Sequence, residues 1–149
     1  MKMKNVVAGM TAAVLVCLGG AAWGENILSA TDKAFMKTVS EGNIAEVQLG
    51  KLVVQKASRP STKNIARMII RDHSRAQHDL IVLASQKKVS LPMAPNAKHR
   101  AMMAKLARMS GLAFDKAFLT AQLGEHRKVA MAFKSESNSN DSDLRSFVV

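Results

Sequence analysis

IIRDHSRAQHDL, Ile69 to Leu80, sets an aspartate and a histidine, Asp72 and His73, side by side in the middle of a helical segment running from about Ser61 to Lys87. At about 100° of turn per residue, Ile65, Ile69, Ala76, Leu80 and Leu83 form one apolar stripe, with Asp72 near its centre. The stripe predicts an inward carboxylate, with His73 at its edge and Arg75 and His78 facing away. A carboxylate buried in this way is costly unless something pairs with it, so other parts of the chain must supply a partner.

The preceding segment is helical too. Ser29 or Thr31 can cap a helix that continues to about Ser58, with a stripe of Phe35, Val39, Gly42, Leu49 and Val53. Glu46 occupies the gap between Gly42 and Leu49, so a second carboxylate faces inward. Gly42 weakens the helix and marks either the close approach of a neighbour or a kink. Arg59 and Pro60 break the pattern and Ser61 can cap the next helix, so the connection is short and the two helices are antiparallel neighbours. Counted from that turn, Glu46 and Asp72 both lie ~18 to 20 Å along their helices, at one height.

KKVSLPMAPNAKHR, with Pro92 and Pro95, ends the second helix and forms a crossover into a short helix from about Ala97 to Ser110, with Met102, Met103, Leu106 and Met109 on its apolar face. Gly111 stops it. A third long helix runs from near Ala113 to about Glu136, with Phe114, Phe118, Ala121, Val129 and Ala132 on its stripe, Glu125 at the centre and His126 beside it. Three carboxylates from three helices are thus expected in one layer, flanked by two histidines. Such a layer needs protons, basic partners or a cation, because like charges raise one another's pKa. After SESNSND, Asp141 or Ser142 caps a fourth helix that has barely two turns, LRSFVV. Only Leu144, Phe147, Val148 and Val149 are then available to cover the fourth side, so an uncovered groove and self-association through it are expected.

The beginning of the chain has the parts of a secretory signal: basic MKMKN, an apolar run from Val6 to Gly20, and AAWG, with cleavage expected before Glu25. The organisation expected is therefore a signal peptide over 1–24, a linker over 25–31 and one helical domain over 32–149. The one cysteine, Cys17, lies within the signal, so the exported chain has no thiol, disulfide or thiolate ligand. No later stretch has the length of a membrane span. The 22 basic residues against 11 acidic ones give a formal charge of +11. They form no basic run with interleaved aromatics, and export removes nucleic acid as a partner; anionic envelope surfaces and solvated helix faces are the readings left. Of the ten methionines, Met36, Met68, Met93, Met102, Met103, Met109 and Met131 lie beyond the signal, scattered as core packing rather than paired as copper ligands.

GNIAEVQLGKLVVQKAS, ARMIIRDHSRAQHDL, VSLP, SGLAFDKAFLTAQLGEHRKVAMAF and DSDLRSF together resemble the successive blocks of a bacterial exported family, domain of unknown function four-one-four-two. The resemblance spans about Asp32 to Phe147. It implies an all-α, ferritin-like up-down helical bundle with three long helices, a short crossover helix and an incomplete fourth. It also implies a periplasmic or outer-membrane-associated location, without an established activity. Carried over by position, the inward glutamate is Glu46, the second-helix pair Asp72 and His73, and the third-helix pair, Asp-His in the family, Glu125 and His126. The family's proline-containing fourth helix, with a further histidine, has no counterpart here.

Ferritin-like folds suggest a metal, with Glu46, Asp72, Glu125, His73 and His126 as the ligands and iron, manganese or zinc as the ion. Di-iron bundles, however, rely on Glu-x-x-His, which puts carboxylate and imidazole on one helix face, and this chain has none. Adjacent acid and histidine diverge by about 100°. The function expected is a non-catalytic bundle protein whose carboxylate/histidine layer is structural, with divalent-metal binding or buffering as the alternative. No glycine-rich phosphate loop or serine elbow points to an enzyme.

Overall fold

Ser29 opens the first helix with a reciprocal cap: its hydroxyl accepts the Asp32 N–H at 3.0 Å, and Asp32 accepts the Ser29 N–H at 2.7 Å. Helix α1 spans Ala30–Lys56 and α2 Pro60–Gln86; α3 is Ala97–Ala107, α4 Gly111–Glu136 and α5 Ser142–Phe147. The structure is a computed structural model and describes residues 28–148; the expected signal and the linker residues 25–27 lie outside them. Among the described residues every regular element is α-helical, so the all-α class stands. No helix there is long and apolar enough to cross a membrane.

Helix α1 is the hub, packed along α2 and touching α3 and α4, while α5 rests on α2. The three-residue link through Ala57, Ser58 and Arg59 makes α1 and α2 an antiparallel hairpin. Helix α4 returns antiparallel to α1: its start carries Asp115 to the Ser58–Arg59 turn and its end carries Glu136 to Asp32. Two apolar clusters result. One joins Leu49, Val53, Ala66 and Ile69 to Leu106, Phe114 and Phe118 near the hairpin turn. The other gathers Leu28, Met36, Leu80, Leu83, Ala84 and Leu144 at the opposite end, with Phe35 and Phe147 against it.

Several local expectations change. Ser61 lies inside the first turn of α2 rather than capping it; Arg59 is the cap position and makes no side-chain cap bond. Gly42 has open space where a Cβ would point. The close approach is at Gly50, where an added Cβ would stand 2.7 Å from Ile70 Cγ1 and 3.1 Å from the Ala66 carbonyl oxygen. A polar and small-residue seam, Asn43 and Gly50 beside Ala66, therefore lets α1 and α2 come together. In α4, Val129 and Ala132 are exposed, and the end of the helix is held instead by half-buried Phe133, edge-on to Phe35 at 5.2 Å, and by Glu136.

Candidate functional site

The middle of the bundle holds the sequence-predicted residues, and the convergence of three acids does not occur. Asp72 is exposed and paired with Arg71 at 2.7 Å. The reason is the phase of α2. Its buried residues are Thr62, Ala66, Ile69, Leu80, Leu83 and Ala84, whereas Ile65 is 39% exposed. Including the small and polar members swings the centre of the face by about 35°, leaving Asp72 about 80° away and His73 within about 20° of it. The histidine faces the seam and the acid faces water. With its carboxylate bonded to Arg71, Asp72 titrates below the ordinary range.

Glu46 does point inward. Gln122 donates to it across the bundle, Nε2 to Oε2 at 2.7 Å, while burial pushes its carboxyl pKa up and outweighs that bond. Glu125 lies at the rim, where Lys128 at 2.9 Å, and then Lys98 at 3.5 Å, hold it below the usual range. His126 is exposed, and its ring centroid stands 6.0 Å from that of His73. Among the described residues no three histidine, cysteine, aspartate or glutamate side chains are grouped to hold an ion. The donor set implied by the ferritin resemblance therefore does not form a cage.

A hydrogen-bond chain takes the place of the expected acid cluster. His73 Nδ1 lies 2.9 Å from Asn43 Oδ1; Asn43 Nδ2 donates to Gln77 Oε1 at 3.4 Å; Gln77 Nε2 donates to Ser40 Oγ at 2.9 Å; and Ser40 Oγ donates to the Pro92 carbonyl at 3.1 Å. Each amide group donates in one direction, so Asn43 Oδ1 acts as acceptor and the imidazole proton belongs on Nδ1. Burial, with the nearby His126, lowers the His73 pKa and favours this neutral form. The chain ties α1, α2 and the crossover together. Buried polar groups in such a run are stabilising only when each finds its partner, which is the case from His73 to Pro92.

Four further carboxylates, Asp32, Asp115, Glu136 and Asp141, are more buried than any of the three expected. Asp115 is 3% exposed. It accepts the backbone N–H groups of Ser58 and Arg59, both at 2.9 Å, and the Thr62 hydroxyl at 3.3 Å. Burial pushes its pKa up, but these donors prevail and hold it below the usual range. Helix α2 has no cap of its own, and the turn before it is capped from α4. At the other end Glu136 faces Asp32; both are 6% exposed. The available signal is indirect: a turn with free N–H groups requires an acceptor somewhere, and Asp115 directly follows the core residue Phe114.

The fold and its buried polar seam define an all-helical, α1-centred protein. The chain belongs to the family described as domain of unknown function DUF4142, which matches residues 20–149. Comparison with curated proteins finds no match, and comparison with solved structures finds none.

Proposed function

We propose that this chain is a non-catalytic scaffold or interaction protein of the bacterial envelope, exported to the periplasm as a ferritin-like bundle, with a mid-bundle polar layer that sets helix register. The observation that carries this reading is the mutual bonding within the layer: Glu46 is bonded by Gln122, His73 by Asn43, and Glu125 by two lysines, while Gln122 Oε1 is buried without a partner. Side chains already engaged with one another orient helices; they are poorly placed to bind and release a substrate. Outside the layer, the basic excess, a formal +11 over the full chain and two less once Lys2 and Lys4 leave with the signal, suits an anionic envelope surface. On α4, Leu112 and Leu123 are 59% and 56% exposed beside a cleft of about 500 Å³ that Arg59 and Lys116 also line. An apolar strip with a cationic rim is the kind of face through which a chain contacts a partner or a second copy.

Thermal melts of wild type and Glu46→Gln in zinc, manganese or iron against a chelator test the structural role, with no metal-dependent shift expected. Sedimentation with vesicles of anionic lipid, lost at high salt, is the expected surface behaviour. The runner-up, divalent-metal binding, draws on one observation, the 6.0 Å approach of the His73 and His126 rings. A rise in melting temperature with metal that disappears in His73→Ala would favour it.

A further inference from the structure

The second apolar cluster is closed by chain that arrives late in the sequence. The end of α4, the loop over 137–141 and α5 fold back over Met36, Leu80, Leu83 and Ala84, burying Leu144 and half-burying Phe147. What fastens this segment to α1 is unusual. Asp32 and Glu136, each 6% exposed, meet carboxyl to carboxyl within hydrogen-bonding reach. Two donors serve Asp32, the Ser29 N–H at 2.7 Å and the Ser139 hydroxyl at 2.8 Å, and the Glu136 carboxyl stands beside them. Glu136 has no donor among the described residues, and its Oε1 is buried without a partner.

The neighbouring cations are committed elsewhere. Lys87, at the end of α2, bonds Asp141 at 2.6 Å and Asp143 at 2.7 Å. Arg145 of α5 donates to the Ser139 carbonyl at 2.5 Å. Neither reaches Asp32 or Glu136, and no ion pair to either acid exists among the described residues. Two ionised carboxylates at contact in a dry site repel, whereas one proton between them makes a strong charge-assisted bond. We propose that a single proton shared by Asp32 and Glu136 is a latch that fastens the α4 end, the following loop and α5 onto α1, and that the segment loosens when this proton leaves.

The direction follows from the two groups. Burial first, then the hydrogen bond and charge of Asp32, push the Glu136 pKa up to about 7. Burial also acts to raise Asp32, but the bonds from Glu136, Ser29 and Ser139 outweigh it and bring it down to about 2. A raised acid costs stability once the unfolded chain would release the proton. The latch is therefore closed in acid, weakens as pH rises above about 4.5, and has lost half of its proton by about 7 and the rest above it. Below about 4, Asp32 starts to lose its advantage as well.

Amide hydrogen exchange on the whole protein tests this, compared at pH 5.5 and pH 8.5 after correction for intrinsic rates. The expected result is a loss of protection of roughly tenfold or more at the higher pH, confined to the start of α1, the end of α4 and α5, with the α1–α2 turn unchanged. In Glu136→Gln a permanent N–H donor faces Asp32, and the pH dependence of that segment should vanish. Carbon NMR titration of the wild-type Glu136 carboxyl needs no variant and should show a midpoint well above that of an ordinary glutamate. An ordinary midpoint, pH-independent protection in wild type, or unchanged pH dependence in Glu136→Gln would each overturn the latch. So would protection restored at pH 8.5 by calcium, which would make the pair a cation site instead.

Discussion

Helix α4 carries one buried carboxylate near each end, and the two behave in opposite ways. Asp115 and Glu136 are 3% and 6% exposed, yet the first is held below the ordinary carboxylate range and the second is raised to about 7. Burial acts in the same direction on both. The difference is the company: two N–H groups of the α1–α2 turn and the Thr62 hydroxyl of α2 surround Asp115, while Glu136 faces another acid. One end of the bundle is therefore fastened by a charge that wants to be ionised, the other by a proton that must stay. At neutral pH the turn end should be the firmer of the two.

Removing the firm end should give the largest effect. Asp115→Ala strips an acceptor from the Ser58 and Arg59 N–H groups and the Thr62 hydroxyl, and leaves α2 without its remote cap. A fall in melting temperature of roughly 10 °C or more at pH 7 is expected, and a smaller change than at the Glu136 end would reverse the ranking of the two ends. Because the Asp115 pKa is lowered, this contribution is present above the ordinary aspartate value and is lost as pH falls through the depressed one.

At the opposite end, Lys87→Met leaves Asp141, with a side chain 1% exposed, without its ammonium partner. A loss of about 3 kcal/mol is expected at pH 7, measured by urea unfolding, because the buried charge is then unpaired. Glu136→Gln acts in the opposite sense. With no raised acid left to ionise, the variant should exceed wild type by about 2 kcal/mol at pH 8.5 and match it near pH 4.5, where wild-type Glu136 keeps its proton. If instead it lost stability at both pH values, the contrast between the two α4 carboxylates would disappear.

Much of the architecture could be read from the chain. Pro60, Pro92, Pro95 and Gly111 punctuate the helices, and the caps at Ser29 and Asp141 were both among the residues anticipated. Counting residues from the turn puts Glu46 and Asp72 at one height, and at that height Glu46 and His73, the neighbour of Asp72, are the ones that face inward. Rotation about the helix axis was harder to infer. The α2 stripe was drawn through large apolar residues, whereas the interface with α1 is made by Thr62, Ala66 and His73 against Gly50 and Asn43, and small or polar groups carry no hydrophobic signal. The same limit hid Asn43, Gln77 and Gln122, whose roles depend on partners on other helices. Asp115 and Glu136 sit near helix ends, where acids are commonly exposed, so their burial becomes visible only in the tertiary packing.

Glu46→Gln should have a small effect. Burial raises the Glu46 pKa, so its charged form costs stability as pH rises above the ordinary glutamate value, and the amide removes that cost while its oxygen can still accept from Gln122. A gain of under about 1 kcal/mol at pH 7, shrinking toward pH 4, is expected from denaturant midpoints. A clear loss would mean that the charge itself is wanted in the layer.

The smallest effect should be at the residue that the apolar stripe of α2 placed at the centre of everything. Asp72 is exposed and its partner is the adjacent, still more exposed Arg71, so water replaces that bond at little cost. Asp72→Asn should leave the melting temperature unchanged within error at pH 5, 7 and 8.5, and should leave the His73 titration almost unmoved, because burial and His126 come ahead of Asp72 in setting it. Paired with Glu46→Gln in one double-mutant cycle, the two changes should add without coupling, since one side chain meets Gln122 of α4 and the other lies on the outer face of α2. A coupling energy clearly above error would mean that Asp72 turns inward to meet Glu46, restoring the acid layer and with it the case for a cation.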